Sequence, residues 1–234
     1  MKKIGILIFV VALVAGVALA NMTSFGRASD SFFWFSMNFG GEHGSGNVTT
    51  EKRNITGFKS VDVGGVFQVE VVAQKEFGVE VTADDNLLPL IKTSVDGSTL
   101  RIETTSRISP SSTVKIRVFA PDIDKLRVAG VANVAVTDLK NEAFAVDSSG
   151  ASKIAVAGET SKLTVDVSGA SKIDAENLKA QNASIDSSGA SKISVNVSGE
   201  LKTDLSGASK VVYSGTPTNV VTKKSGASSV SQKQ

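Results

Sequence analysis

A short repeat constrains the fold of this chain more than any other sequence feature. The motif Ser-Gly-Ala-Ser-Lys occurs at residues 149–153, 168–172, 188–192 and 206–210, with less similar copies at 129–133 and 225–229. The central glycines are separated by 20, 19, 20, 18 and 19 residues and are Gly130, Gly150, Gly169, Gly189, Gly207 and Gly226. A near-constant period of this length is typical of a solenoid in which each repeat forms one coil.

Between the glycines, apolar and polar residues alternate, which indicates strands rather than helices. Coils that all pass in the same direction pair in parallel, so the sequence predicts an all-β parallel β-helix with about 19 residues per coil. The glycines are expected at corners of the chain, where glycine most easily adopts positive φ. Inward columns are predicted for Ile154, Ile173, Ile193 and Val211; for Val146, Val165, Ile185 and Thr203; and for Ser152, Ser171, Ser191 and Ser209.

Two outward charged columns follow from the same register. The aspartate column, three residues before each glycine, comprises Asp147, Asp166, Asp186 and Asp204; the lysine column, three residues after it, comprises Lys153, Lys172, Lys192 and Lys210. Like charges one coil apart repel by about 1 kcal/mol in water, and adjacent columns of opposite sign would offset that repulsion. The columns are therefore read either as a self-neutralising solvated edge or as a charged track for a polymer such as an acidic glycan.

The N-terminus has the features of an export signal. Lys2 and Lys3 precede an apolar stretch at 4–20 that ends in Ala18-Leu19-Ala20, which predicts a cleaved signal peptide over residues 1–20. Retention of 4–20 as a membrane anchor is the alternative. Without residues 1–20, the 25 Lys and Arg fall to 23, equal to the 23 Asp and Glu. A net charge of zero gives no reason to expect a nucleic-acid partner.

The remaining chain divides by composition. Residues 21–52 are expected to be a flexible linker with an aromatic patch at 32–39, which either covers one end of the domain or mediates a contact. Residues 53–231 are expected to form one domain, with irregular early coils at 53–125 and regular repeats at 126–231, followed by a tail at 232–234. Asp84 is read as a cap for one short helical turn.

Several stretches resemble the head GIN domain family of bacterial auto-transporter adhesins. The resemblance rests on GSGNV (44–48), RNITGFKSVDVGGVFQVEV (53–71), VTADDNLLPLI (81–91), KIRVFAPDIDKLRVAGVANV (115–134), the SGASK repeats and VVYSGTP (211–217). It implies an exported, right-handed parallel β-helix and carries no catalytic residues.

The residues do not favour catalysis. The carboxylates follow the repeat instead of clustering, and the only histidine, His43, excludes a nucleophile–histidine pair within the domain. The chain has no cysteine, and one Asp per coil is too sparse for a calcium shell, so no metal or other cofactor is predicted. The sequence therefore predicts a non-enzymatic, exported adhesin or binding module of the periplasm, cell surface or extracellular space. It does not identify the partner, for which a surface glycan and an envelope protein are the candidates. The alternative is a β-helical polysaccharide lyase or hydrolase.

Overall fold

The computed structural model describes residues 41–233. The predicted signal peptide, the aromatic patch and most of the predicted linker lie outside the described residues. The described part contains eighteen strands and one 3-10 turn at Leu88–Leu90. The early strands are β1 (Glu42–His43), β2 (Val48–Arg53), β3 (Ser60–Gly64), β4 (Gln68–Val72), β5 (Gly78–Asp84), β6 (Ile91–Asp96), β7 (Thr99–Thr104), β8 (Ile108–Ser109), β9 (Lys115–Phe119) and β10 (Lys125–Val128). The later strands are β11 (Asn133–Ser148), β12 (Lys153–Val167), β13 (Lys172–Ser187), β14 (Lys192–Val197), β15 (Glu200–Leu205), β16 (Lys210–Ser214), β17 (Asn219–Lys224) and β18 (Ser229–Gln232).

The strands stack in parallel as a β-solenoid of about five turns, which confirms the predicted fold class. Two stacks of strands run along the solenoid. The first stack contains β7, β3, β10, the C-terminal halves of β11, β12 and β13, and then β15 and β17. The second contains β9, β4, the N-terminal halves of β11, β12 and β13, and then β14, β16 and β18.

Each long strand belongs to both stacks because it changes register near its middle. The shifts fall between Val136 and Leu139 in β11 and between Ala155 and Ala157 in β12. In β11 the buried positions pass from Val136 to Leu139 and then to Phe144, so the alternation of inward and outward side chains is interrupted and the strand bends without ending. Each coil therefore turns within its long strand as well as at the SGASK turn.

The SGASK glycines stack directly, and the reason for glycine differs from the prediction. Among the six glycines of the repeat, only Gly207 and Gly226 have positive φ, at +80° and +70°. At Gly150 an added Cβ would lie 2.0 Å from the carbonyl oxygen of Gly130, and at Gly169 it would lie 2.1 Å from that of Gly150. Glycine is therefore required at most of these corners by the close approach of successive backbones, not by the backbone conformation.

The predicted aliphatic columns are confirmed and form the core of the repeats. Ile154 pairs in register with Ile173, Ile173 with Ile193, and Ile193 with Val211, and all four are buried. The column that begins at Val146 is buried in the same way as far as Thr203. Small and β-branched side chains suffice here because each coil covers the one before it.

The N-terminal end of the solenoid is closed by antiparallel strands, which the predicted early coils do not include. Strand β2 pairs antiparallel with β5, and β6 pairs antiparallel with β7. The guanidinium of Arg53 donates to the carbonyl oxygens of Ile91 (2.6 Å) and Leu88 (3.1 Å), which ties β2 to the 3-10 turn. Residues 41–52, assigned to a linker from their composition, instead contribute β1 and β2, because their backbone groups are satisfied by β8 and β5.

Asp84 anchors this N-terminal segment and does not act as a helix cap. Its buried carboxylate accepts hydrogen bonds from the backbone N–H groups of Gly46 and Ser111, both at 2.9 Å, and from the Ser111 hydroxyl. These bonds, led by that from the Ser111 hydroxyl, lower the pKa of Asp84 although burial opposes them. The 3-10 turn has no side-chain cap, and Leu87 occupies its N-cap position.

Candidate binding columns

The aspartate column lies on the outer side of the first stack. Asp147 pairs in register with Asp166, Asp166 with Asp186, and Asp186 with Asp204. Basic residues hold the positions at both ends of the column, Arg127 opposite Asp147 and Lys223 opposite Asp204. The structure therefore brings the four predicted aspartates into one line and places a cation at each end.

Charge compensation is concentrated at one end of the aspartate column. Asp147 accepts from Lys125 at 2.7 Å and from Arg127 at 3.4 Å. Among the described residues, Asp166, Asp186 and Asp204 form no ion pair within 4.0 Å. Partial burial, and then the neighbouring Asp147 and Asp186, raise the pKa of Asp166 above its ordinary value, while Lys125 opposes the shift.

The lysine column lies on the outer side of the second stack. Lys153, Lys172, Lys192 and Lys210 pair in register from coil to coil, and all four are exposed. No ion pair within 4.0 Å involves any of them in the part of the chain that the structure describes. The two charged columns therefore form no direct ion pairs with each other among the described residues.

A nearby column shows how neighbouring coils pair when their charges alternate. Lys140, Glu159 and Lys179 occupy one register position in three successive coils. The Lys179 ammonium lies 3.0 Å from the Glu159 carboxylate, and this hydrogen bond and charge lower the pKa of Glu159. Within the lysine column and within the aspartate column, neighbouring members instead carry the same charge.

The lysine column continues toward the N-terminus with uncharged polar residues. Lys153 pairs with Asn133, Asn133 with Gln68, and Gln68 with Lys115. Gln68 was not identified from the sequence as part of this column, because 65 residues separate it from Asn133. The pattern Gly65-Val66-Phe67-Gln68, which matches Gly130-Val131-Ala132-Asn133, was the signal that could have revealed it.

Open grooves run beside both columns. A groove of about 440 Å³ lies between the aspartate column and the outward serines Ser149, Ser168 and Ser188. A second groove, of about 520 Å³, lies at the N-terminal end of the lysine column and is lined by residues including Gln68, Asn133 and Lys153.

The predicted serine column between the charged columns is buried, but it is divided into two groups. The hydroxyls of Ser148, Ser152 and Ser171 lie 2.8–3.2 Å from one another, and those of Ser187, Ser191 and Ser209 lie 2.7–3.3 Å from one another. Ser148 and Ser187, which precede the glycine by two residues, were not predicted to join the column. The groups are separate because the equivalent position in the intervening coil is the buried Val167. Each closed set of hydroxyls satisfies polar atoms that would otherwise be buried without partners.

No cluster of three or more His, Asp or Glu side chains suited to a metal ion occurs within residues 41–233. His43 lies on the exposed strand β1, and its backbone carbonyl accepts from Asn86 at 2.8 Å. The charged groups of each column are spread one per coil along the surface. Such an arrangement is suited to repeated contacts with an extended partner.

The sequence of this chain matches the family model described as "Putative auto-transporter adhesin, head GIN domain" over residues 57–217. No curated protein sequence matches it.

Solved structures share the fold at low sequence identity. A "putative adhesin" from Bacteroides fragilis NCTC 9343 aligns with a TM-score of 0.65 and 18% identity, covering 82% of this chain and 99% of that chain. A "putative adhesin" from Parabacteroides merdae ATCC 43184 aligns with a TM-score of 0.53 and 17% identity, covering 82% and 98%. A "putative lipid binding protein" from Parabacteroides distasonis ATCC 8503 aligns with a TM-score of 0.51 and 17% identity, covering 82% and 99%. Within residues 41–233, no helix is long and apolar enough to cross a bilayer.

Proposed function

Because this chain belongs to the head GIN domain family, whose members are described as putative auto-transporter adhesins, we propose that it is an exported, non-catalytic protein that binds a partner outside the cytoplasm. One observation carries the proposal. The exposed charged groups of the repeats form continuous columns along the solenoid and do not converge on one cavity. A regular surface of this kind suits an extended partner, whereas hydrolysis or elimination at a sugar needs several groups placed around a single bond.

Export is supported by the sequence of residues 1–20, with its basic start, apolar stretch and Ala-Leu-Ala end. The measurement that tests it is cell fractionation combined with the mass of the mature protein. We expect the protein in the envelope or medium with residues 1–20 removed. Recovery of the full-length chain in the cytoplasmic fraction would contradict the proposal.

The non-catalytic part of the proposal is tested with the purified protein. Incubation with acidic and neutral polysaccharides is followed by chromatography of the sugars and by measurement of retained protein. We expect retention without release of shorter chains. Release of oligosaccharides or of unsaturated sugar ends would instead support a β-helical hydrolase or lyase.

A further inference from the structure

The lysine column is the central part of a longer line of polar side chains. Seven side chains lie in register along the second stack, in the order Lys115, Gln68, Asn133, Lys153, Lys172, Lys192 and Lys210. The next position, on β18, is Ser229. Parallel strands are spaced at about 4.8 Å, so the four consecutive lysines cover about 14 Å along the solenoid axis. The line is one residue wide and carries one functional group per coil.

Electrostatics favours an anionic occupant for this line. The four ammonium groups repel their neighbours on adjacent coils, and the described part of the chain supplies them with no ion pair within 4.0 Å. The aspartate column differs, since Lys125 and Arg127 bind its first member and Lys223 occupies the position beyond its last. A negative chain laid along the lysines would relieve their mutual repulsion and release the counterions condensed on that chain.

The groove at the N-terminal end of the line adds groups of a different kind. Gln68 and Asn133 offer amide donors and acceptors to hydroxyl groups. Val66 and Val131 line the same groove and are 72% and 58% exposed. Amides next to exposed apolar side chains match a sugar ring, which has hydroxyls at its edge and C–H groups on its faces.

We propose that this line binds a single chain of acidic polysaccharide parallel to the solenoid axis, with one carboxylate on each sugar. Successive carboxylates of such a polymer are about one sugar ring apart, which is comparable with the spacing between coils. The lysines pair with the carboxylates, and Gln68 and Asn133 bind hydroxyls of the sugars that extend beyond Lys153. This inference names a ligand for the proposed binding function and therefore rests on it.

The shape of the surface favours a linear polymer over an anionic bilayer. The cations form a single line, and Asp174, two residues after Lys172, lies on the same outward face beside that line. A bilayer would place its negative headgroups against that carboxylate as well, whereas a chain along the lysines avoids it.

The experiment measures retention of the purified protein on immobilised polygalacturonate across a range of salt concentrations. We expect retention that falls as salt increases, with little retention on the methyl-esterified polymer, which has the same backbone without the charges. Hyaluronan, with a carboxylate on every second sugar, should bind more weakly at equal carboxylate concentration. The Lys172→Gln/Lys192→Gln variant should lower the affinity by about fivefold or more.

Lys140→Gln/Lys162→Gln is the matched control, because it removes the same charge from exposed positions outside the column. We expect this variant to bind polygalacturonate like the unchanged protein. Equal losses in both double variants, or equal binding to the esterified polymer, would overturn the proposal. Lysine-dependent binding to vesicles containing phosphatidylglycerol without binding to polygalacturonate would also overturn it. Those results would leave export and non-catalytic binding of another partner intact, since fractionation and product release test them separately.

Discussion

At the scale of single residues, the SGASK turn is determined by how closely successive backbones approach. The N–H of Ala151 donates to the carbonyl of Gly130 at 3.1 Å, and that of Ala170 donates to Gly150 at 3.1 Å. Each glycine thus lies against the carbonyl of the preceding coil that accepts a hydrogen bond from the residue after the glycine. A side chain at the glycine would push the two coils apart. Glycine therefore recurs at this position in every copy of the repeat for a steric reason.

We expect Gly169→Ala to lower the free energy of unfolding by about 3 kcal/mol or more, because its Cβ would overlap the Gly150 carbonyl. Gly97→Ala is the contrasting variant, since Gly97 has φ +61° and no atom lies within 4 Å of the added Cβ. That variant should cost only about 1–2 kcal/mol for the left-handed conformation. Urea unfolding of both variants measures the difference, and equal costs would contradict the steric explanation.

The raised pKa of Asp166 leads to a prediction about pH. A carboxyl whose pKa is higher in the folded state binds more protons there, so it destabilises the fold at neutral pH, and this penalty fades as the pH falls through its folded pKa. We expect Asp166→Asn to be more stable than the unchanged protein at pH 7. The difference should shrink as the pH falls toward the ordinary value of 3.8. Thermal unfolding at several pH values tests this, and a gain in stability that grows on acidification would contradict it.

At the scale of elements, the N-terminal segment is held by the backbone pairing of β1 and β2 and by a few polar side chains, unlike the repeats, which also share an apolar core. Strand β2 is almost entirely exposed, so little apolar surface holds it in place. Asp84 and its neighbours supply the contacts, and Asn86 accepts from the N–H of Ser45 at 2.9 Å. An added Cβ at Gly44 would lie 2.2 Å from the Asp84 carboxylate, which explains the small residue at that position.

We expect Asp84→Asn to loosen strands β1 and β2 while leaving the repeats folded, because an amide cannot accept all three hydrogen bonds of the carboxylate. Hydrogen exchange should accelerate over residues 42–53 and not over 133–214. Asp204→Asn, at an exposed position in the repeats, serves as the control and should leave exchange over residues 42–53 unchanged.

The unchanged protein should show the same local opening in acid. The pKa of Asp84 is lowered in the folded state, so its stabilising contribution is complete above 3.8 and is lost as the pH falls through the lower folded value. Exchange over residues 42–53 that does not depend on pH below 3.8, after correction for the intrinsic exchange rate, would contradict this role.

At the scale of the whole described domain, the two ends of the solenoid differ. Antiparallel strands close the N-terminal end, whereas β17 and β18 pair on one side only among the described residues. Lys224 continues the inward column of Val128, Ser148, Val167, Ser187 and Leu205 at this end. A charge at an inward position opposes the addition of another coil, which is a common protection of exposed strand edges.

We therefore expect Lys224→Leu to promote end-to-end association. Removing the charge and adding an apolar side chain at the edge should tighten self-association by about tenfold or more. Sedimentation velocity over a range of protein concentrations measures the effect. Lys223→Leu is the control, since Lys223 continues the outward aspartate column, and the two variants should differ. Identical behaviour of both variants would remove the argument for an inward charge.

The sequence by itself determined the solenoid, its period, the inward aliphatic columns, and the four lysines and four aspartates of the charged columns. It could do so because neighbouring coils make the same contacts, so that a periodic sequence leads directly to stacked side chains. Ile154, Ile173 and Ile193 illustrate this, since their positions in the repeat place them in one buried column.

Only the tertiary structure decided the features that depend on residues far apart in the chain or on distances between backbones. Gln68 extends the lysine column by pairing with Asn133, which is 65 residues away in the sequence. Strand β2 belongs to the domain because it pairs with β5. Neither pairing follows the repeat. The close approach of Gly150 to Gly130 replaces the predicted positive φ because only coordinates show how near one coil lies to the next. Periodicity specifies which residues face each other on neighbouring coils. The distance between successive backbones, the ion pairs of the charged residues and the strands that close the N-terminal end depend on how the whole chain packs.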